Sequence, residues 1–160
     1  MKKALCFCLQ LVLCLKTSDY ALATVKPFTS RFASIKPNEV NVRVGPGQNY
    51  PTDWVYRKAG LPVEIIAEFD VWRKIRDIEG TEGWVHQSML CNKRHAVIQP
   101  LEVLLYKSPD STSCPLARLQ KGVLVDLLKC SEEWCQVRIE RVKGWVQRNA
   151  LWGLYSKECF

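Results

Sequence analysis

Glycine and tryptophan recur along this chain at repeating intervals, and that recurrence restricts the fold more than any other feature. Gly60 is followed by Val63, Trp72, Gly83-Trp84-Val85 and Leu90, and Gly122 by Val125, Trp134, Gly144-Trp145-Val146 and Leu151. Glycine to valine is 3 residues in both runs and glycine to the first tryptophan is 12 in both; that tryptophan to the next glycine is 11, then 10. Pro46 and Pro109 extend the match at an offset of 63, against 62 for the central landmarks, so one residue is gained or lost in the loop between them. The chain is therefore read as two tandem repeats.

Between the landmarks the sequence reads as strand. Leu61 to Phe69 and Val123 to Cys130 are rich in Val, Ile and Leu, while Trp72 to Ile78 and Trp134 to Ile139 alternate apolar with charged residues. That period of two marks half-buried strands. Short turns separate them at Asp70-Val71, Glu79-Gly80-Thr81-Glu82 and Ser131-Glu132-Glu133. A unit of about 60 residues with roughly five short strands buries only a small core, and curling its sheet into a small barrel hides the sheet edges. The spacing predicts an all-β protein of two small barrels, with two tryptophans of each repeat filling most of its core.

The first repeat carries Asn41-Val42-Arg43-x-Gly45-Pro46, then Gly60, a tryptophan opening a strand, Gly83-Trp84-Val85 and a closing Leu90. This pattern resembles the bacterial SH3 (SH3b) domain family. Tyr50-Pro51, Trp54-Val55-Tyr56 and Gly60-Leu61-Pro62-Val63-Glu64-Ile65 make it especially similar to a subgroup of short exported proteobacterial proteins. The resemblance runs strongly from Arg31 to Arg94 and weakly from Val97 to Tyr155, where the first motif becomes Leu104-Leu105-Tyr106-Lys107-Ser108-Pro109. It implies two tandem small SH3-like β-barrels and a binding role, and it implies no catalysis. The expected domains are 31–94 and 97–155, packed side by side because the linker Asn92 to Pro100 is short.

Ahead of the repeats, Met1-Lys2-Lys3, the apolar run Ala4 to Leu15 and Ala21-Leu22-Ala23 follow the order of a secretory signal peptide. The apolar run is shorter than the ~20 residues of a spanning helix. Residues 1–23 are expected to be cleaved, which takes Lys2, Lys3, Lys16 and Asp19 and lowers the formal charge from +7 to +5 over 137 residues. The mature protein is then periplasmic or secreted, with no permanent membrane span. Cys91, Cys114, Cys130, Cys135 and Cys159 remain where disulfides persist, and an odd number leaves at least one thiol free or paired outside the chain.

At the offset of 62, Cys130 and Cys135 align with Glu68 and Arg73, which flank the hairpin turn after Phe69. Such positions face each other across a hairpin, where an opposite-charge pair or a disulfide can form. We expect an ion pair in one repeat and a Cys130–Cys135 disulfide in the other.

Catalysis finds little material. A hydrolase needs a nucleophile with a base, or a metal with several ligands. The only histidines are His86, at a strand end, and His95, in the basic linker Asn92-Lys93-Arg94-His95. Neither has a partner at motif spacing, and Cys91-x-x-x-His95 lacks the second ligand pair of a zinc site, so no enzyme, metal or cofactor is expected. The basic charge is interleaved with acids, as in Arg73-Lys74-x-Arg76-Asp77, and export argues against a nucleic-acid partner.

What remains is a binding module. Arg43, Asn49, Tyr50, Trp54 and Tyr56 gather around the loop Val44 to Asp53, where aromatic rings offer flat apolar area and Arg43 can fork onto a carboxylate. These five are the candidate ligand-binding residues, although Arg43 bonding loop carbonyls is the competing structural role. In the second repeat Tyr106, Lys107 and Leu116 hold the corresponding positions. The expected partner is peptidoglycan or an envelope protein or peptide. A periplasmic adaptor that recruits or regulates an envelope enzyme is the alternative, ahead of a cell-wall hydrolase or its accessory.

Overall fold

The computed structural model describes residues 28–159; the expected signal peptide lies outside them. The first repeat contains β1 (Arg31–Ile35), β2 (Val40–Arg43), β3 (Thr52–Tyr56), β4 (Pro62–Phe69), β5 (Trp72–Arg76), β6 (Glu82–His86), one 3-10 turn (Gln87–Met89) and β7 (Leu90–Cys91). The second repeats this in order: β8 (His95–Ile98), β9 (Glu102–Tyr106), β10 (Pro115–Gln120), β11 (Leu124–Cys130), β12 (Trp134–Ile139), β13 (Val142–Gln147), a 3-10 turn (Arg148–Ala150) and β14 (Leu151–Trp152). The two sheets have the same antiparallel topology, β3-β2-β6-β5-β4-β1-β7 and β10-β9-β13-β12-β11-β8-β14.

Side chains from both ends of each strand order reach one core, so each sheet must curl. In the first repeat Ala33, Ile35, Val40, Val42, Val63, Ile65, Ile75 and Val85 form a cluster that Trp54 of β3 and Leu90 of β7 also touch. The end strands do not pair with each other, so each unit is an open curled sheet of seven strands rather than a hydrogen-bonded closed barrel. The bending device is shared: Ile66 in β4 and Leu128 in β11 are the extra residues of equivalent bulges, which kink the longest strand of each sheet.

The tryptophans overturn an expectation. Trp72, Trp84, Trp134 and Trp145 are all only partly buried, and the cores are built from Val, Ile, Leu and Ala. Strand alternation gives the reason. Gly83 and Val85 turn inward, so Trp84 between them turns outward; a Cβ on Gly83 would lie 2.3 Å from Val42 Cγ1, and one on Gly144 2.6 Å from Leu105 Cγ. The glycine of Gly-Trp-Val is thus the residue the core requires, and the tryptophan decorates the outer face. The other shared glycines, Gly60 and Gly122, turn the chain at φ 82° and 83°.

Register also relocates the lost residue. Val42 pairs with Trp54, and the equivalent Leu105 pairs with Ala117, so the offset of 63 persists through β3 and β10. The deletion falls after them, where Arg57-Lys58-Ala59 shortens to Gln120-Lys121 before the glycine. Ala117, not Leu116, therefore replaces Trp54; Leu116 is the bulged residue that matches Asp53.

The repeats dock on each other. Phe32 packs edge-on against Trp152 with ring centroids 5.2 Å apart and lies 4.8 Å from Tyr155. The Tyr155 hydroxyl donates to Glu64 Oε1 at 2.8 Å and lies 2.8 Å from Ser30 Oγ. Arg94 bonds Gly153 O at 2.8 Å and the Glu158 carboxylate, and the buried Arg148 bonds the carbonyls of Tyr155 and Glu158. The segment after β14 is thus a strap across the junction.

Candidate functional site

A cleft confined to the first repeat has a volume of 410 Å³ and lies on its outer face. Trp72 and His86 face each other on adjacent strands in an edge-to-face contact at 5.7 Å. Ser88, on the 3-10 turn, sends its backbone N–H to His86 Nδ1 at 3.2 Å with its hydroxyl 2.7 Å from the same nitrogen, which fixes the ring. Arg43, Asn41 and Gln48 close the other side. The site therefore offers a flat indole, an imidazole and a guanidinium within one shallow recess.

The second repeat has a cleft of 710 Å³ that shares the equivalents of Trp72, His86 and Ser88, namely Trp134, Gln147 and Asn149, and extends from them toward Leu154 and Ser156. Trp134 takes the place of Trp72 and packs edge-on against Tyr106 at 5.6 Å. Tyr106 stands where Arg43 stands in the first repeat, since each pairs with the tryptophan of the Gly-Trp-Val motif. Tyr106 does not line that cleft, so the wall that Arg43 supplies in the first repeat has no equivalent there, and the guanidinium in the second cleft is that of Arg148.

Of the five residues singled out in the sequence, Arg43 alone lines this cleft. Its Nη1 also donates to Tyr50 O at 2.6 Å, which is the loop-holding role weighed against ligand binding. Tyr50 is exposed and its ring lies over Gly45 and Gly47, where a Cβ on Gly45 would come within 2.4 Å of it. Asn49 is exposed on the same loop. Trp54 and Tyr56 meet edge-to-face at 6.1 Å against the core. Tyr56 donates to Asp77 Oδ2 at 2.9 Å; burial first, and then that carboxylate, push the phenol well above its ordinary range. Arg43 and Tyr50 come together, as do Trp54 and Tyr56, but the five do not share one recess.

Trp72, His86 and Ser88 were missed as ligand-facing residues; the available signal was the strand period of two, which puts Trp72 on the face of Lys74 and Arg76 and His86 on the face of Glu82. The other histidine serves the junction. His95 Nδ1 lies 2.8 Å from Ser34 Oγ and Nε2 lies 3.2 Å from Asp126 Oδ1, while Ser34 Oγ is 2.8 Å from Lys93 O. Ser34, 1% exposed, thus links through His95 to Asp126 in a hydrogen-bond chain between the repeats, and His95 and Asp126 also line an open cleft of 520 Å³ at the junction. Among the described residues no three His, Cys, Asp or Glu side chains gather as a metal site, and no helix is long and apolar enough to cross a membrane. Cys130 and Cys135 pair directly across β11 and β12 and are disulfide-bonded, with Cα atoms 4.2 Å apart. Glu68 and Arg73 pair at the equivalent place with Nε 3.1 Å from Oε1.

A small antiparallel sheet of seven strands, duplicated in tandem with an aromatic cleft on each outer face, defines a protein of two small β-domains. The bacterial SH3 domain profile matches residues 36–91 and again 99–153, and the chain belongs to that family. No curated protein matches the sequence. Among solved structures, NlpC2 from Trichomonas vaginalis is similar at 14% identity and a TM-score of 0.36, over 78% of this chain and 48% of that one. An NlpC/P60 family protein from Bacillus cereus is similar at 14% identity and a TM-score of 0.35, over 76% and 55%. The chain spans about half the length of each.

Proposed function

We propose that the protein is an exported, non-catalytic binding module that holds peptidoglycan or a peptide in the cell envelope. The observation that carries this reading is the repeated outer-face cleft, in which Trp72 and Trp134 stand at equivalent positions beside a 3-10 turn. Partly exposed indoles supply stacking area for a sugar ring or peptide bond at little entropic cost, and Arg43 supplies a fork for a carboxylate. The leading segment of residues 1–23 supports export, since it has the order of a signal peptide. The burial of the Ser34 hydroxyl, out of reach as a nucleophile, favours binding over hydrolysis.

The test is retention on insoluble peptidoglycan sacculi. Wild-type protein is expected to sediment with them, Trp72→Ala to lose most retention, and Trp54→Ala to lose less, because Trp54 supports the core. If the wild type stays in the supernatant, wall binding is wrong and an adaptor for an envelope protein becomes the reading to pursue.

A further inference from the structure

A third pocket lies between the repeats and has a different character from the outer clefts. It encloses 230 Å³ and is lined by Tyr56, Leu61, Pro62 and Ile78 of the first repeat and Val97 and Trp152 of the second, with Asp77 and Glu79 as its charged residues. Each outer cleft holds an arginine, and the other junction cleft, of 520 Å³, holds Lys36, Lys93 and Arg138. This pocket is lined by no cationic side chain. In a chain of formal charge +7, an apolar recess bordered only by carboxylates is a local reversal.

Its two acids differ in their commitments. Asp77 is held in place: Oδ2 accepts from Tyr56, and Oδ1 accepts from the backbone N–H groups of Glu79 and Thr81 at 3.0 and 2.9 Å. Glu79 is exposed and forms no ion pair among the described residues. The volume falls below the ~300–1,000 Å³ of pockets that enclose whole drug-sized ligands, so it suits one extended side chain. Apolar walls favour a methylene stem, and aromatic rings with carboxylates favour a positive head.

We propose that this pocket binds the alkylammonium side chain of a lysine presented by a partner polypeptide. Leu61, Pro62, Ile78 and Val97 take the stem, Tyr56 and Trp152 flank the head, and Glu79 and Asp77 balance its charge. The site requires both repeats. Trp152 stands where the first repeat has Cys91 and Tyr56 where the second has Leu119, so neither repeat alone brings the two rings together. It is separate from the outer clefts and does not depend on wall binding.

The test titrates Nα-acetyl-lysine N-methylamide, and its uncharged analogue Nα-acetyl-norleucine N-methylamide, into the full two-repeat protein while following the Trp152 indole N–H by NMR. The lysine probe is expected to shift that signal saturably and to bind about tenfold more tightly than the norleucine probe. Glu79→Gln should weaken the lysine probe several-fold and leave the norleucine probe unchanged. Ile78→Trp, a change at a partly exposed loop position, should plug the pocket and abolish both shifts while the remaining spectrum stays that of the folded protein. Equal affinity for the two probes, an absent Trp152 shift with the wild type, or unchanged discrimination in Glu79→Gln would each overturn the proposal. Sacculus retention reads the outer clefts, so the two readings fail independently.

Discussion

The β4–β5 and β11–β12 hairpins occupy the same place in the two repeats and are fastened by different chemistry. In the first, Arg73 pairs with Glu68 and also donates to Asp70 O, Trp72 O and Gln87 Oε1, so an arginine on the hairpin reaches the 3-10 turn. In the second, Cys135 occupies that arginine's position, and the guanidinium comes from the opposite side: Arg148, equivalent to Gln87, donates to Ser131 O on the hairpin. Gln87 and Arg148 also make the same backbone bond, to Val71 O and Glu133 O at 2.8 Å each. The tie between hairpin and turn is kept while its donor moves from the strand to the 3-10 turn. A disulfide at one position therefore goes with an arginine at another, a pairing visible only when both repeats are superposed.

The largest effect expected from disturbing this symmetry is at the inward glycines. Gly144→Ala would drive a Cβ toward the Tyr106 carbonyl at 2.7 Å as well as Leu105, whereas Gly83→Ala meets chiefly the movable Val42 side chain. We expect about 3 kcal/mol lost for Gly144→Ala and about 2 kcal/mol for Gly83→Ala in urea unfolding. Equal losses would show that the backbone contact is inconsequential.

Reduction of Cys130–Cys135 comes next, at about 2 kcal/mol or less because the closed loop is short. Amide exchange should accelerate at Val125, Val137 and Val146 and stay unchanged at Val63, Ile75 and Val85. Equal acceleration in both repeats would mean that they unfold as one unit.

A smaller effect belongs to acid. Burial first, and then the charge of Lys93, hold the His95 imidazole below its ordinary 6.5 in spite of Asp126. The folded protein thus takes up that proton less readily than the unfolded chain. Its contribution to stability is complete above pH 6.5 and is lost as pH falls below that value. Asp126 follows at lower pH: burial pushes its carboxyl up, but Arg138 and Lys93 outweigh this and hold it below 3.8. The urea midpoint should fall on acidification from neutral pH, and His95→Gln should remove the first part of that fall.

The smallest effect separates the ion pair from the disulfide. Glu68→Gln should cost only about 0.5–1 kcal/mol even though it removes the pairs with both Arg73 and Arg31, since the Glu68 side chain is 33% exposed. A loss as large as that of reduction would erase the distinction between the two fasteners.

Much of this was legible in residue order because it is local. The hairpin pairs could be read by aligning Cys130 and Cys135 on Glu68 and Arg73, whose partners lie 5 residues away. The tryptophans were placed on the wrong side because their apolar bulk outweighed the inward demand of Gly83 and Val85. Leu116 was matched to Trp54 because an offset counted at the central glycines does not hold upstream of the shortened turn. The outer cleft needs β2, β5, β6 and the 3-10 turn to converge, and the junction joins Phe32 to Trp152 and Tyr155. No spacing rule connects residues so far apart in the chain.

The strap has a consequence for the order in which the molecule forms. Tyr155 meets Glu64 across 91 residues and Ser30 across 125, while His95 meets Ser34 across 61. Closing such long loops gains nothing until the sheets that present these groups exist, so the junction closes after both sheets have formed. The first repeat can be complete while its docking face of Phe32, Ser34 and Pro62 is still bare, and it stays so through synthesis of the remaining chain. Docking is thus expected to be the last event of folding, which would leave the apolar face around Phe32 open to wrong partners until Tyr155 arrives.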